Sequence, residues 1–238
     1  MAASDNYCIH PEYVSQTVNC TLAWETGVVY WTPRLIHMAK FFQYHVYMRG
    51  KELVKRHGLK SVLDIGCGPA LKLVDLFSPV CNNIVGLDSK DIVYYCREHY
   101  NLGRFLPLDI ERDDFPLQET FDLVISSDVI EHLVDPDKLL DAIHRASNAQ
   151  TFILLSTPDR DTLRGKGCLQ SPKAVHVREW NFREFVEYLR SRGFTILEHR
   201  LVPPLSFNWS REYFGQWYAQ FRARRSFNSC QLVVCRKA

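Results

Sequence analysis

Gly66-Cys67-Gly68 sets two residues without Cβ atoms one position apart, directly after the run Ser61-Val62-Leu63-Asp64-Ile65. A ligand can come this close to a backbone only where side chains are missing. Carboxylates stand at Asp64, at Asp88 and at Asp109, each at the end of an apolar stretch. Together these groups suit a nucleoside-containing cofactor. The glycine turn passes beside an amino-acid-bearing sugar, Asp88 accepts both ribose hydroxyls, and Asp109 accepts from an adenine amino group beside the Ile110 amide. A dinucleotide fingerprint needs a third glycine three residues after the second, where this chain has Leu71. No Gly-Lys-Ser/Thr follows, so a phosphate-cradling P-loop is excluded as well.

A second group of reactive residues lies further along. Asp128, Glu131 and His132 follow an apolar run, and His176 comes later. Two acids and imidazoles are donors that a divalent metal accepts, although no metal is expected here. The stretch from Ser156 to Trp180 is dense in Arg160, Asp161, Arg164, His176, Arg178, Glu179 and Trp180. Guanidinium and carboxylate groups bond sugar hydroxyls, and tryptophan stacks on a ring's apolar face. Arg160, Arg164, Arg178 and Trp180 are therefore candidate contacts to a polyhydroxylated acceptor. The competing reading makes the charged residues an ion-pair lattice that fixes the loop, with Trp180 capping the core. His176 ranks first as general base, because imidazole is mostly neutral at pH 7; Asp128 ranks second.

Positioning these groups requires an alternation of elements. Strand-like runs fall at 61–66, 83–88, 104–109, 121–127 and 151–157, and helix-like runs at 70–78, 89–100, 135–148 and 181–192. Phe152-Ile153-Leu154-Leu155 is continuously apolar, as a strand buried on both faces must be. The alternation predicts a parallel, doubly wound sheet with helices on both faces. Thr195–Val202 and Gln231–Arg236 break the rhythm and predict an antiparallel pair at the sheet edge, joined by an aromatic insert over 203–227. Ahead of the sheet, Thr32-Pro33 starts a long helix to about His57, and Gly50 weakens its middle. The expected division is 1–58, an aromatic segment and helix covering the active site, then 59–238, the catalytic domain.

Bulk properties narrow the class. The 238 residues carry 29 basic and 27 acidic side chains, a net charge of +2. That balance does not point to nucleic acid or a membrane surface. Arg222-Ala223-Arg224-Arg225 is a local basic exception. The 8 cysteines form no CxxC pair, which suits a reduced, cytoplasmic setting. Asn19-Cys20-Thr21 and Asn208-Trp209-Ser210 match a glycosylation sequon by chance in such a setting. No apolar run approaches the roughly 18 to 20 residues that span a bilayer.

In order and spacing, the glycine turn, the acids after the second and third strands, and the terminal antiparallel pair resemble the class I S-adenosylmethionine-dependent methyltransferases. The resemblance covers about residues 60–238 and implies a seven-stranded, mostly parallel sheet with an antiparallel last strand. It implies a cofactor site built from Asp64, Gly66, Cys67, Gly68, Asp88, Ser89, Asp109, Ile110, Ser127 and His132, with Asp128 facing the transferred methyl or its acceptor. The 156–180 stretch resembles bacterial members linked to glycosyltransferases and surface-glycan synthesis, which implies a sugar or glycan acceptor. The Asp128, Glu131, His132 and His176 set is also similar to that of small-RNA 2′-O-methyltransferases, which begin with Glu instead of Asp. The alternatives are a small-molecule or RNA methyltransferase and a non-catalytic cofactor-binding protein. A homodimer is also compatible with the aromatic segments.

Overall fold

The computed structural model describes residues 6–17 and 31–238. Trp24, Tyr30 and the sequon at Asn19 lie outside the described residues. The first helix, α1 (Pro33–Met38), begins where Thr32 Oγ1 accepts from Leu35 N at 3.3 Å. It does not run on to His57. The chain breaks over 39–43, where Gln43 takes a left-handed φ of 52° and its amide donates to Pro204 O. α2 (Tyr44–His57) then follows and ends at Gly58 in the left-handed region. Gly50 is not the weak point. It lies inside α2, where a Cβ would stand 3.0 Å from Phe77 Cζ and 3.3 Å from Leu154 Cδ2. Glycine there lets the helix sit close on the sheet.

The alternation predicted from sequence is present. β1 (Ser61–Ile65), α3 (Leu71–Phe77), β2 (Asn83–Asp88), α4 (Lys90–His99), β3 (Arg104–Pro107), β4 (Leu123–Ser127), a 3₁₀ turn (Ile130–His132), α5 (Asp137–Arg145) and β5 (Phe152–Pro158) follow in order. A short α6 (Arg160–Arg164) precedes α7 (Phe182–Ser191), β6 (Phe194–Val202), α8 (Arg211–Arg222) and β7 (Cys230–Lys237). Asn181 and Glu184 close a reciprocal capping box at the start of α7. α8 falls inside the 203–227 insert, a helix where only an aromatic excursion was expected.

Among the described residues the strands form one sheet in the order β3-β2-β1-β4-β5-β7-β6. β3 through β5 are parallel, and β7 is antiparallel to both β5 and β6. This is the seven-stranded Rossmann-like architecture expected, with the antiparallel pair at the edge. Alternate strand residues feed two cores. Leu63, Ile65, Val85, Leu87, Val124 and Ile153 pack beneath α5 and α7, while Val62, Ile84, Leu123, Ile125 and Leu154 pack beneath α2, α3 and α4. β1 has β2 on one side and β4 on the other, so the strand order reverses there. A crevice opens at the carboxyl ends of strands at such a point. No helix among the described residues is long and apolar enough to cross a membrane.

Candidate active site

A cavity of about 740 Å³ occupies that crevice. Its floor is the glycine turn. Gly66 and Gly68 have φ of +82° and +55°, and the Gly66 and Cys67 amides both donate to Leu87 O. A Cβ on Gly66 would stand 2.3 Å from Val129 Cγ2, and one on Gly68 2.9 Å from the Trp31 ring. Conformation and space therefore both demand glycine here. Asp88 locks the turn from the next strand: Oδ2 accepts from Gly68 N at 2.8 Å and Oδ1 from Ser89 N at 2.7 Å. Burial pushes its carboxyl up, and the two amides pull it partly back. Ser89 lines the cavity and stands at the N-cap position of α4, to which it makes no side-chain cap bond.

Asp64 lies behind the lining, fully buried. Its Oδ2 accepts from Tyr47 Oη at 2.8 Å, while Oδ1 has no hydrogen-bond partner among the described residues. Burial raises the carboxyl to about 7, against the pull of Tyr47 and Lys72. Lys72 reaches in from α3, over the Tyr47 ring and against Ala39 O. Burial lowers its ammonium to about 8, opposed by Asp64 and Asp128. Across the cavity, Asp109 and Ile110 follow β3 and line the wall; Asp109 Oδ1 accepts from Glu111 N at 3.1 Å.

The other end holds the reactive side chains. Ser127 Oγ and Ser156 Oγ are 2.7 Å apart, and Ser156 donates on to Asp128 Oδ1 at 2.7 Å. Gln43 Nε2 donates to Asp128 Oδ2 at 2.7 Å. Asp128 adopts φ 53°, a left-handed conformation uncommon for a residue with a side chain and frequent at functional sites. His176 is buried, and its Nδ1 lies 2.6 Å from Glu179 Oε1. Burial alone would raise Glu179, but bonds from His176 and Arg164 win and hold it at about 2. The anion fixes the imidazole proton on Nδ1 and leaves Nε2 as the acceptor, 3.4 Å from Lys173 Nζ. Burial lowers the His176 pKa despite Glu179, so the ring is neutral at pH 7. Beside it, His132 Nδ1 bonds Val175 O at 2.7 Å, and burial and His176 lower its pKa to about 3. One ligand atom each from Glu131, His132 and His176 lies within 4.8 Å of the others.

Gly66, Cys67, Gly68, Asp88, Ser89, Asp109, Ile110, Ser127, Asp128, His132 and His176 thus line one cavity. The four expected acceptor contacts do not. Arg160 is buried and bonds Glu184 Oε1 at 2.9 Å and Glu179 O at 3.2 Å. Arg164 grips both oxygens of Glu179, at 2.9 and 3.1 Å. Arg178 donates to Leu133 O and Val134 O, and Trp180 donates to Tyr7 O while stacking on Tyr188 at 5.5 Å. These side chains are engaged inside the protein, and Arg160 Nε adds an ion-pair contact to Asp161 Oδ1 at 3.5 Å, the arrangement of the lattice reading. Residues 6–17 strap the same loop: Tyr13 Oη accepts from Glu179 N, and Gln16 Nε2 donates to Ser171 O and Lys173 O. The cavity wall contributed by the N-terminal part is Trp31, Leu35, Ala39, Phe42, Gln43 and Tyr47, and no residue of 203–227 lines it.

Sequence reasoning missed Tyr47, Gln43, Lys72 and Lys173. Lys72 is the second residue of α3, where a lysine reads as a solvated face. Gln43 sits in a helix break that no glycine or proline marks.

The chain matches a family model described as "Methyltransferase domain" over residues 40–199. It is 31% identical over 172 residues to a probable S-adenosylmethionine-dependent methyltransferase of Mycolicibacterium smegmatis, covering 69% of this chain and 63% of that protein. It is 30% identical over 159 residues to the small RNA 2′-O-methyltransferase of Mus musculus, covering 58% of this chain and 39% of that one. The chain therefore spans less than two thirds of the length of these curated relatives. Among solved structures, the methyltransferase bound to the Trm112 activator of Haloferax volcanii superposes with a TM-score of 0.61 at 18% identity, over 82% of this chain and 98% of that one. The methyltransferase domain of bacterial CtHen1-C gives 0.55 at 18%, over 82% and 98%. At such identities the superpositions show the fold alone. The chain belongs to the class I S-adenosylmethionine-dependent methyltransferases. Its residues fit that cofactor: Asp64 Oδ1 is a buried acceptor awaiting a donor, and the turn at Gly66 and Gly68 carries no side chain of its own.

Proposed function

We propose that this chain transfers a methyl group to the hydroxyl of a sugar or glycan, with His176 as general base. The observation that carries the reading is the Glu179–His176 pair, which presents an unprotonated Nε2 to the cavity. S-adenosylmethionine supplies an electrophilic methyl on a sulfonium, with a neutral thioether as leaving group. Asp88 would accept the ribose hydroxyls, Asp109 and Ile110 would receive the adenine, and Asp64 would take the amino end. Cys67, Gly66 and Gly68 would give the backbone approach, and Ser127 and His132 would close the far side. An acceptor hydroxyl bound beside His176 Nε2 would give its proton to that nitrogen as its oxygen takes the methyl and the carbon–sulfur bond breaks. Alignment of the three atoms is worth up to roughly 7–11 kcal/mol and the base about 10²–10⁴-fold. Gln43, Asp128, Lys173 and His176 make this end of the cavity polar, which supports a polyhydroxylated acceptor.

A second reading takes the 2′-hydroxyl of RNA as acceptor with a divalent ion on Glu131, His132 and His176. It is favoured by the proximity of those three donors and by the mouse relative. One group counts against it: the Lys173 ammonium sits against His176 Nε2, where it would repel a bound cation. Incubation with methyl-labelled cofactor and separate pools of oligosaccharides, phenols and RNA, followed by mass spectrometry, decides between them. Label on a sugar hydroxyl without added metal supports the first reading. Label on RNA only, lost with a chelator, replaces it with the second.

A further inference from the structure

The aromatic insert that lies away from the cavity has its own organisation. In α8, Phe214, Trp217, Tyr218 and Phe221 recur at i, i+3, i+4 and i+7, the spacing of a buried helix face. Here that face points outward, and all four are exposed. Phe207 and Trp209 continue the patch from the preceding loop. Trp209 is 84% exposed, and its ring lies 5.3 Å from Phe207 and 5.8 Å from Phe214. The side turned to the protein is polar: Gln220 is buried and reaches toward Leu163 O. An aromatic stripe turned to solvent on an otherwise well-packed domain marks a docking face.

The charges around the stripe indicate what docks. By helical spacing, Arg211 and Arg222 border it on one side. Arg224 and Arg225 follow at the helix end, both exposed, although Arg225 Nη1 also donates to Leu163 O at 3.0 Å. Glu212 is the acid in this helix; it lies on the far side and is already paired with Arg34 of α1. Aromatic rings bordered by arginines are the composition of a helix that lies in the headgroup layer of a bilayer. A second copy fits poorly, because a two-fold contact through this face would bring arginines against arginines.

We propose that α8 and the Phe207–Trp209 loop dock this protein on an anionic lipid surface, rings in the headgroup region and arginines on the phosphates. The balanced charge of the whole chain conceals this local asymmetry. The Arg34–Glu212 pair ties the docking element to α1, whose Leu35 lines the cavity, so one wall of the site is anchored to the docking face. The proposal does not rest on the acceptor reading, since binding to lipid needs no methyl transfer.

Flotation of the full chain with vesicles tests it, comparing phosphatidylcholine alone with an equimolar mixture of phosphatidylcholine and phosphatidylglycerol. The protein should float with the mixture, less so at high salt, and hardly at all with phosphatidylcholine alone. The double variant Trp217→Ser/Phe221→Ser should lose more than about tenfold in partitioning, and Arg222→Ser and Arg224→Ser about fivefold each. None of these residues lines the cavity, so unchanged cofactor affinity by calorimetry certifies that the variants fold. Flotation that is absent, or equal in wild type and the aromatic variant, overturns the proposal. So does a concentration-dependent dimer that the aromatic variant dissociates while vesicles bind neither form. Retention on RNA in preference to the anionic vesicles overturns it equally.

Discussion

His176 Nδ1 lies 2.6 Å from Glu179 Oε1, and Glu179 is itself gripped at both oxygens by Arg164. The pair sets which imidazole nitrogen faces the cavity. In Glu179→Gln the side-chain amide can donate to Nδ1 and drive the proton to Nε2, which then cannot accept from a hydroxyl. Turnover should fall about 10²–10⁴-fold with cofactor affinity unchanged, read by single-turnover kinetics and calorimetry. Equal losses in affinity and turnover would reduce Glu179 to a structural anion.

Asp88 holds the glycine turn and is proposed to accept the ribose hydroxyls. It holds Gly68 N and Ser89 N in the free protein and faces the cavity. Asp88→Asn leaves one acceptor oxygen for the two backbone amides and removes the charge, and should weaken S-adenosylmethionine binding by about 10- to 100-fold, the worth of a charge-assisted bond. Titration calorimetry reads this directly; an unchanged dissociation constant removes the ribose role.

If Asp64 takes the amino end of the cofactor, binding should depend on pH. Its carboxyl is raised to about 7 by burial, and an ammonium placed on Oδ1 favours the anion. Binding at pH 6 should therefore expel a proton, and affinity should rise as pH increases through about 7. Calorimetry in buffers of different ionisation enthalpy counts the proton, and Asp64→Asn should abolish the pH dependence. In the free protein the sign is opposite. A carboxyl raised above its unfolded value contributes stability that is present below about pH 4 and is lost as pH rises through about 7.

Gly50 tests the helix–sheet contact. Alanine is a better helix former by up to about 1 kcal/mol, but its Cβ would press on Phe77 and Leu154. Overpacking costs about 1–3 kcal/mol. Gly50→Ala should therefore lower stability to urea, where a weakened-helix reading expects a gain.

Much of this was legible in the sequence because it is local. The Gly66-x-Gly68 turn, the acids that close successive strands and the Asn181–Glu184 capping box each express short-range sterics or hydrogen bonding. Asp128, His132 and His176 were legible as candidates because they lie at strand ends or in a long loop. The arginines misled for a physical reason. Arg160, Arg164 and Arg178 sit in a polar loop that reads as exposed, yet their partners Glu184, Glu179 and the carbonyls of Leu133 and Val134 arrive only with tertiary folding. Burial of Lys72 likewise depends on Tyr47, a residue of a different element.

The reading of this cavity stands on one comparison. With saturating cofactor and an oligosaccharide pool, release of S-adenosylhomocysteine is followed in a single turnover for wild type and His176→Gln. The wild type should release it together with an O-methylated sugar. The variant should bind cofactor normally and react at least about 100-fold more slowly. Equal rates in the two proteins, or cofactor bound tightly by both with no transfer from either, would contradict it.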